Sequence, residues 1–439
     1  TRSPRCAITY TLIGAPGQRR RHCEWRFAGA KFAFSPPSER DSTIAMFRAF
    51  PSRCRSFRSL LLASGLALTT NLPAEVAPVL LPRIEYISIT SGLDYAHLRT
   101  TDQPWSIHIA RKDRRQKNLT VTCTLGRDHI QGLAGVSKQA SALPPHFGRP
   151  LAAINGAFFL IQPGPYQGDP EGLQILNGEL VSAPLDRCFW VDTAGKFHLG
   201  IVKPRLEVIW PAGARTPMAL NQTPPMNRAT LFTATFGHAT EATNLTELVL
   251  ERSGSCEWLP LRVGRTYSAR IREVRPQGNT TLSPDRLVLA LSGFAKTNST
   301  ALKPGDVLKL ATTTTPDIAN TTMAIGGGPI LVAKGKEMPW PAKTRAVDHL
   351  QPRHPRTALG FNSRYLYLVA VDGRQKELSI GMSFVELASL MRQIGCTEAL
   401  NLDGGGSTTF WLDGKIMNSP SDKRERSVAN AVVIVQKPK

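Results

Sequence analysis

The 439-residue sequence has no C-x-x-C pair, no Gly-x-x-x-x-Gly-Lys-Ser/Thr loop and no Gly-x-Ser-x-Gly elbow. These absences remove zinc-ribbon and dithiol redox chemistry, Walker-type nucleotide binding and the α/β-hydrolase nucleophile from consideration. No repeat, coiled coil or long linker appears after residue 75, so neither a solenoid nor a fibrous chain is indicated. Cysteine is sparse: seven residues, three of them (Cys6, Cys23, Cys54) in the basic N-terminal stretch. The widely spaced Cys123, Cys188, Cys256 and Cys396 could close up to two disulfides in an oxidising compartment or remain buried thiols. Beyond residue 58 there is no run of five like charges, although the chain carries a net +21. Residues 1–58 hold twelve Lys and Arg against Glu24, Glu39 and Asp41, which is +9 of that total. The remaining +12 is spread over 381 residues, a pattern suited to anionic substrates or a cell envelope, and nucleic acid is not expected as a partner.

Long hydrophobic runs are also missing. The longest N-terminal stretch, Leu60–Leu68, is too short to span a bilayer, but Arg48, Arg53, Arg55 and Arg58 precede it and Pro73-Ala74 follow. That is the layout of a secretory leader, so residues 46–74 are expected to be a signal peptide and residues 1–45, rich in Arg, Pro and Ser, a disordered or spurious extension. The mature domain is then expected over 75–439, exported to the periplasm or secreted, with no stable membrane anchor.

What is present is a strand-rich pattern punctuated by Gly and Pro every ten or so residues. Strands are expected at 105–110, 119–124, 151–154, 248–250, 286–291 and 307–310. Asn177-Gly178 and Asp413-Gly414 predict two-residue hairpins, because a type I′ turn needs positive φ at both central positions. Near the C-terminus, Phe384, Leu387, Ala388, Met391 and Ile394 recur at helical spacing behind a Ser383/Glu386 capping box, with Gly395 as the stop. An unbroken apolar run, Tyr365–Val371, precedes this helix and Ala399–Leu402 follows it, which predicts a βαβ unit in a sheet covered on both faces. The expected fold class is therefore α/β (α+β): a mixed, strand-rich sheet with a C-terminal βαβ unit and covering helices. Such a unit puts Asp372 and Asp403 at the carboxyl ends of two strands on one sheet edge, where both carboxylates would face one cleft.

The segments that could carry chemistry cluster between residues 150 and 439. Asp403-Gly404-Gly405-Gly406-Ser407-Thr408 combines an acid, three glycines and two hydroxyls, so its backbone could approach an anion closely beside the carboxylate. Asn155-Gly156-Ala157-Phe158-Phe159 suits a sharp turn at a pocket wall, and Gly326-Gly327-Gly328-Pro329 another. His354-Pro355-Arg356-Thr357-Ala358, Asp372-Gly373-Arg374 and Arg426-Ser427-Val428-Ala429-Asn430-Ala431 add guanidinium forks that could hold phosphate oxygens.

Taken in order, these segments resemble the phosphodiester glycosidase family over roughly residues 84–439, most densely from Arg353 onward. The resemblance departs at Ala157, where the family usually has glycine, a change tolerable only at negative φ. It implies a hydrolase that removes a sugar from a phosphodiester, for example an N-acetylglucosamine-1-phosphate diester, in envelope or exopolysaccharide metabolism. The departing phosphate monoester is a good leaving group, so the protein must hold phosphate, stabilise an oxocarbenium-like transition state and activate water or supply a nucleophile. On that reading Asp403 is the base or nucleophile and Asp372 the second carboxylate or a sugar-hydroxyl ligand. Arg356, Arg374 and the Gly404–Gly406 amides would hold phosphate, with Arg426 a third contact or a structural partner of an aspartate. Thr357, Gly156, Ser407 and Thr408 complete the expected substrate-binding set, and Asn155, Asn401 and Asn430 are expected at sugar hydroxyls or an N-acetyl group. No cofactor is required and no calcium-loop spacing is present, although Asp372 or Asp403 could take Ca²⁺ or Mg²⁺. The competing class is a non-catalytic glycan- or envelope-binding module.

Overall fold

The computed structural model describes residues 81–184, 186–255, 257–297, 300–339 and 352–438, all within one compact unit, Glu75–Lys439. Both N-terminal expectations and Cys256 lie outside the described residues. Three sheets of eight, eleven and five strands carry the architecture. The eleven-stranded sheet is drawn wholly from residues 174–327, whereas the other two are built from the flanking stretches 87–155 and 330–436. It is these two flanking sheets that position the candidate site.

In the eight-stranded sheet the relevant strands are β1 (Trp105–Asp113), together with two later strands and a third that follows a helix. The five-stranded sheet places β2 (Leu119–Cys123) at one edge and β3 (Arg149–Asn155) at its centre. Between β2 and β3 runs the short helix α1 (Val136–Ser141). The later strands of the eight-stranded sheet are β4 (Arg356–Phe361) and β5 (Tyr365–Val371), then helix α2 (Phe384–Gln393) and β6 (Glu398–Asn401). The five-stranded sheet is completed by β7 (Phe410–Leu412) with a short partner strand, and by β8 (Ala431–Gln436), which lies between β3 and β2.

The local signals of the sequence act as read. Asn177 and Gly178 adopt φ of 49° and 80°, and Asp413 and Gly414 41° and 92°, each pair closing a hairpin. Helix α2 is capped by Ser383, with the reciprocal Glu386 bond to the Ser383 N–H. It ends in a Schellman arrangement: Gly395 N–H donates to the Arg392 carbonyl, and Cys396 N–H to that of Met391.

The longer-range expectation needs correction. Strands β5 and β6 run in the same direction but are not neighbours, because β4 lies between them and pairs antiparallel with both. The only parallel ladder among the described residues is 218–220 with 229–231. The continuous apolar run of β5 has a different cause from the one expected. Leu366, Leu368 and Ala370 point into the core shared with the five-stranded sheet, while Tyr367, Val369 and Val371 pack under α2. Burial on both faces demands apolar residues at every position whichever way the neighbours run. One covering layer is thus a helix and the other a sheet. No helix among the described residues is long and apolar enough to cross a membrane.

Candidate active site

Strands β5 and β6 end on the same edge of the sheet, so Asp372 and Asp403 follow two co-directional strands there. The seam between the eight- and five-stranded sheets is fixed by Asn155, the final residue of β3. Its side chain donates to the Asp403 carbonyl at 2.6 Å and accepts from the Thr357 hydroxyl at 2.7 Å and the Thr409 N–H at 3.1 Å. One buried amide therefore ties β3, β4 and both ends of the glycine loop together. The next residue, Gly156, accepts the Asp403 N–H at 3.0 Å, and a Cβ there would stand 2.2 Å from Asn430 Oδ1. Gly156→Ala is expected to lower stability by about 1–3 kcal/mol through overpacking, measurable in urea unfolding. Ala157 is not among the positive-φ residues, and its N–H donates to Asn430 Oδ1 at 2.7 Å, so the methyl group at this position is accommodated.

The asparagine side chains are engaged by the protein's own groups. Asn430 is fully buried, bound to Ala157 and to Gln174 Oε1. Asn401 donates to the carbonyls of Gly328 and Leu402, and its buried Oδ1 has no partner. Thr357 and Thr408 are likewise buried and share a hydroxyl contact of 3.4 Å. These residues, expected at sugar hydroxyls, are the frame beneath the site. The physical reason is that the Asn amide can donate through Nδ2 to one buried group while accepting through Oδ1 from another.

The glycine loop is less open than an anion cradle would be. Gly404 N–H donates to Asp403 Oδ1, Gly405 N–H to the Pro355 carbonyl, and Ser407 and Thr408 N–H to the Gly404 and Gly405 carbonyls. Among the described residues this leaves Gly406 N–H as the loop amide without an acceptor. Gly405 has φ of 60°, and the Arg374 guanidinium lies 3.1 Å from where its Cβ would be. Arg374 is exposed, touches His354 Nδ1 at 3.4 Å and forms no salt bridge among the described residues. The other two arginines are engaged. Arg426 is paired to Asp422 at 2.7 and 2.9 Å and donates to Ser407 Oγ at 3.4 Å. Arg356 donates to the Met382 and Pro352 carbonyls and stacks on Phe384, its burial and nearby Arg374 lowering its pKa to about 10.

Asp403 itself is partly exposed, and burial raises its carboxyl to about 6. The Ser407 side chain, the Gly404 N–H and Arg426 oppose that rise, and the charge of Glu171 adds to it. Asp372 has a different environment from the one expected. It is 1% exposed and saturated: Oδ2 accepts from Ser106 at 2.8 Å and faces His108 Nε2 at 3.3 Å, while Oδ1 accepts from Ser419 N–H at 2.8 Å and Asn418 Nδ2 at 3.2 Å. Asn418 in turn accepts from Phe410 N–H and donates to the Thr408 carbonyl, so Asp372 acts on the glycine loop at one remove. It is turned into the protein and not toward a cleft. Cation binding at Asp372 would require breaking these bonds, and no group of three His, Cys, Asp or Glu side chains fit to hold a metal occurs among the described residues.

Glu171, which the sequence reading passed over, acts electrostatically on Asp403, and Asp169 interacts with Glu171 on the same segment. The segment 158–171 folds back on itself, Glu171 N–H donating to the Phe158 carbonyl and Leu160 N–H to that of Asp169. This antiparallel flap grows directly out of the Asn155-Gly156 turn that holds Asp403. Burial, with Glu171 beside it, pushes Asp169 up to about 8. The available signal was Gly168-Asp169-Pro170-Glu171-Gly172, two acids about a proline between glycines, with no periodicity to mark it.

Residues 263–435 match the family described as phosphodiester glycosidase. The mouse N-acetylglucosamine-1-phosphodiester alpha-N-acetylglucosaminidase is 41% identical over 68 residues, 15% of this chain and 13% of that protein. The match thus spans about one-eighth of that relative's length. Two solved structures share the fold. A hypothetical protein from Synechocystis aligns with a TM-score of 0.65 at 19% identity, over 80% of this chain and 64% of its own. A protein of Burkholderia pseudomallei K96243 described as exported aligns at 0.61 and 21% identity, over 76% and 75%. The matched segment 263–435, which contains β4 to β7, the Asp403 loop and most of β8, is thus the part of the chain that is similar to the phosphodiester glycosidase family.

Proposed function

We propose that this protein is an exported hydrolase that cleaves the glycosidic bond of a sugar-1-phosphodiester, with Asp403 as the base or nucleophile. The observation that carries this reading is Asp403 itself. It is a partly exposed carboxylate, raised to about 6 on a glycine loop, with the exposed guanidinium of Arg374 lying against the same loop. A carboxylate near 6 is largely ionised at neutral pH yet basic enough to accept a proton in the transition state. Arg374 supplies fixed positive charge for the phosphate, where negative charge accumulates as the leaving group departs. On the flap that grows out of the turn holding Asp403, Asp169, raised to about 8, stays largely protonated at neutral pH and is the candidate for the second carboxyl of the reaction, in the place first assigned to Asp372. The mouse relative's substrate class supports N-acetylglucosamine as the sugar to test first. The leader-like layout of residues 46–74 and the exported structural neighbour support export.

The reading is tested by incubating the protein with UDP-N-acetylglucosamine and p-nitrophenyl sugar phosphodiesters and measuring the free sugar. Release by the wild type and its loss in Asp403→Asn are expected. Folded protein that binds these compounds but turns none of them over would instead be a glycan-binding module. Arg374→Ala is expected to lower kcat/KM by about 10- to 150-fold, the worth of a hydrogen bond to a charged group, with unfolding unchanged because the side chain is exposed. The pH profile of kcat/KM should be bell-shaped. Activity falls below about 6 as Asp403 takes up a proton, and above about 8 as Asp169 loses one. An acid limb that persists in Asp403→Asn would rule out its assignment to Asp403.

A further inference from the structure

A cavity of about 420 Å³ lies apart from Asp403, bounded by the loop after β2, by α1 and the turn that follows it, and by the strap Glu425–Ser427. Its volume falls within the range of small-molecule sites. The wall is largely apolar, with Leu125, Leu133, Leu143, Phe147 and Leu176 contributing to it. Two cations, Arg127 and Lys138, stand in the same lining, and neither forms a salt bridge among the described residues. Two acids share the lining: Asp128, exposed beside Arg127, and Glu425, which is already committed, accepting the Ser137 N–H at 2.8 Å and the Ser137 hydroxyl at 2.5 Å. Gln139 and Thr124 are also satisfied, by each other and by backbone carbonyls. Arg127 and the adjoining Asp128, both in the lining, adopt left-handed conformations, φ 56° and 61°, which are uncommon for non-glycine residues.

With Glu425 held by Ser137, the lining keeps two cations without a salt bridge against the one remaining acid, Asp128, so a bound anion would balance its charge. The walls would hold a ring or a short chain, and the rim its charge. We infer that this cavity binds a small amphipathic anion, an apolar body bearing a phosphate or carboxylate, at a site separate from Asp403. The strap also connects the two places. Glu425 and Ser427 line the cavity, while Arg426 between them points to Ser407 of the glycine loop.

The experiment is isothermal titration of the full chain with phenyl phosphate, phenol and inorganic phosphate. Phenyl phosphate should bind at least tenfold more tightly than either fragment. Arg127→Gln with Lys138→Gln should weaken that binding at least tenfold, and because both side chains are exposed the double variant retains its fold. Arg374→Ala should leave it within twofold, which separates this site from the proposed catalytic one and makes the result independent of whether the protein hydrolyses sugar phosphodiesters. Phenol binding as tightly as phenyl phosphate, loss of binding in Arg374→Ala, or no effect of the double variant would each overturn the inference.

Discussion

Replacing Asp403 by Asn should lower kcat/KM for sugar-1-phosphodiester hydrolysis by about 10²- to 10⁴-fold, the usual contribution of a positioned acid–base or nucleophilic group. It should not unfold the protein. The amide keeps an acceptor for the Gly404 N–H that Asp403 Oδ1 now receives at 2.8 Å. Because the folded-state pKa of Asp403 is raised to about 6, above its ordinary 3.8, the folded protein prefers the protonated carboxyl. Stability is therefore lost as pH rises through the window from 3.8 to about 6, and at pH 7 the ionised group is a net cost. Removing the charge should raise unfolding stability at pH 7 by on the order of 1–3 kcal/mol, while at pH 3 variant and wild type should converge. Urea unfolding at the two pH values, beside the rate, makes this a double test: an inactive but stabilised variant is the signature of a site residue held at the expense of stability. A variant that is inactive because it is unfolded would refute the assignment.

Asp372→Ala should do the opposite, destabilising the fold by about 3–5 kcal/mol, because it strands four buried donors or polar partners at once. Ser106, His108 and Asn418 Nδ2, on residues 1–7% exposed, and the part-buried Ser419 N–H would all lose their acceptor. Asp372→Asn should cost less, about 1–2 kcal/mol. Its carbonyl can still serve Ser419 and Asn418, while the Ser106 hydroxyl rotates to accept and His108, whose Nδ1 lies 2.7 Å from the Tyr95 hydroxyl, changes tautomer. Chemical unfolding of the two variants orders them. If Asp372→Ala were as stable as the wild type and merely inactive, Asp372 would be a reacting group after all and not the anchor of the Asn418 strut.

These two aspartates show what could be read from the sequence and what could not. Both follow co-directional strands on one sheet edge, and the strand–helix–strand pattern was sufficient to put them there. The helix ends, capping box and two hairpins were also legible, because each depends on a few adjacent residues and on φ values that only Gly, Asn or Asp adopt readily. Which way the side chains then turn depends on residues far along the chain. Asp372 is claimed by Ser106 and His108, more than 260 positions away, and no local pattern reveals that. The intervening β4 escaped notice for the same reason: strand order is a property of non-local pairing. That Asn155, Asn401 and Asn430 are buried and cross-link backbone was not legible either, because an Asn beside glycine looks the same whether it meets a sugar or backbone. Asp169 and Glu171 sit on a flap with neither helical nor strand periodicity, where sequence reading has least to hold.

The place of β8 has a consequence for how the molecule is made. Residues 431–436 fill the gap between β2 and β3, so the five-stranded sheet closes only when a segment near the end of the chain has left the ribosome. Until then β2 and β3 each present an unpaired row of amides and carbonyls, the template on which stray strands add. Asn155 and Asp403 cannot meet before both flanks are synthesised, and the eleven-stranded sheet emerges between them. A nascent chain stalled before residue 431 should therefore be inactive and prone to edge-to-edge association.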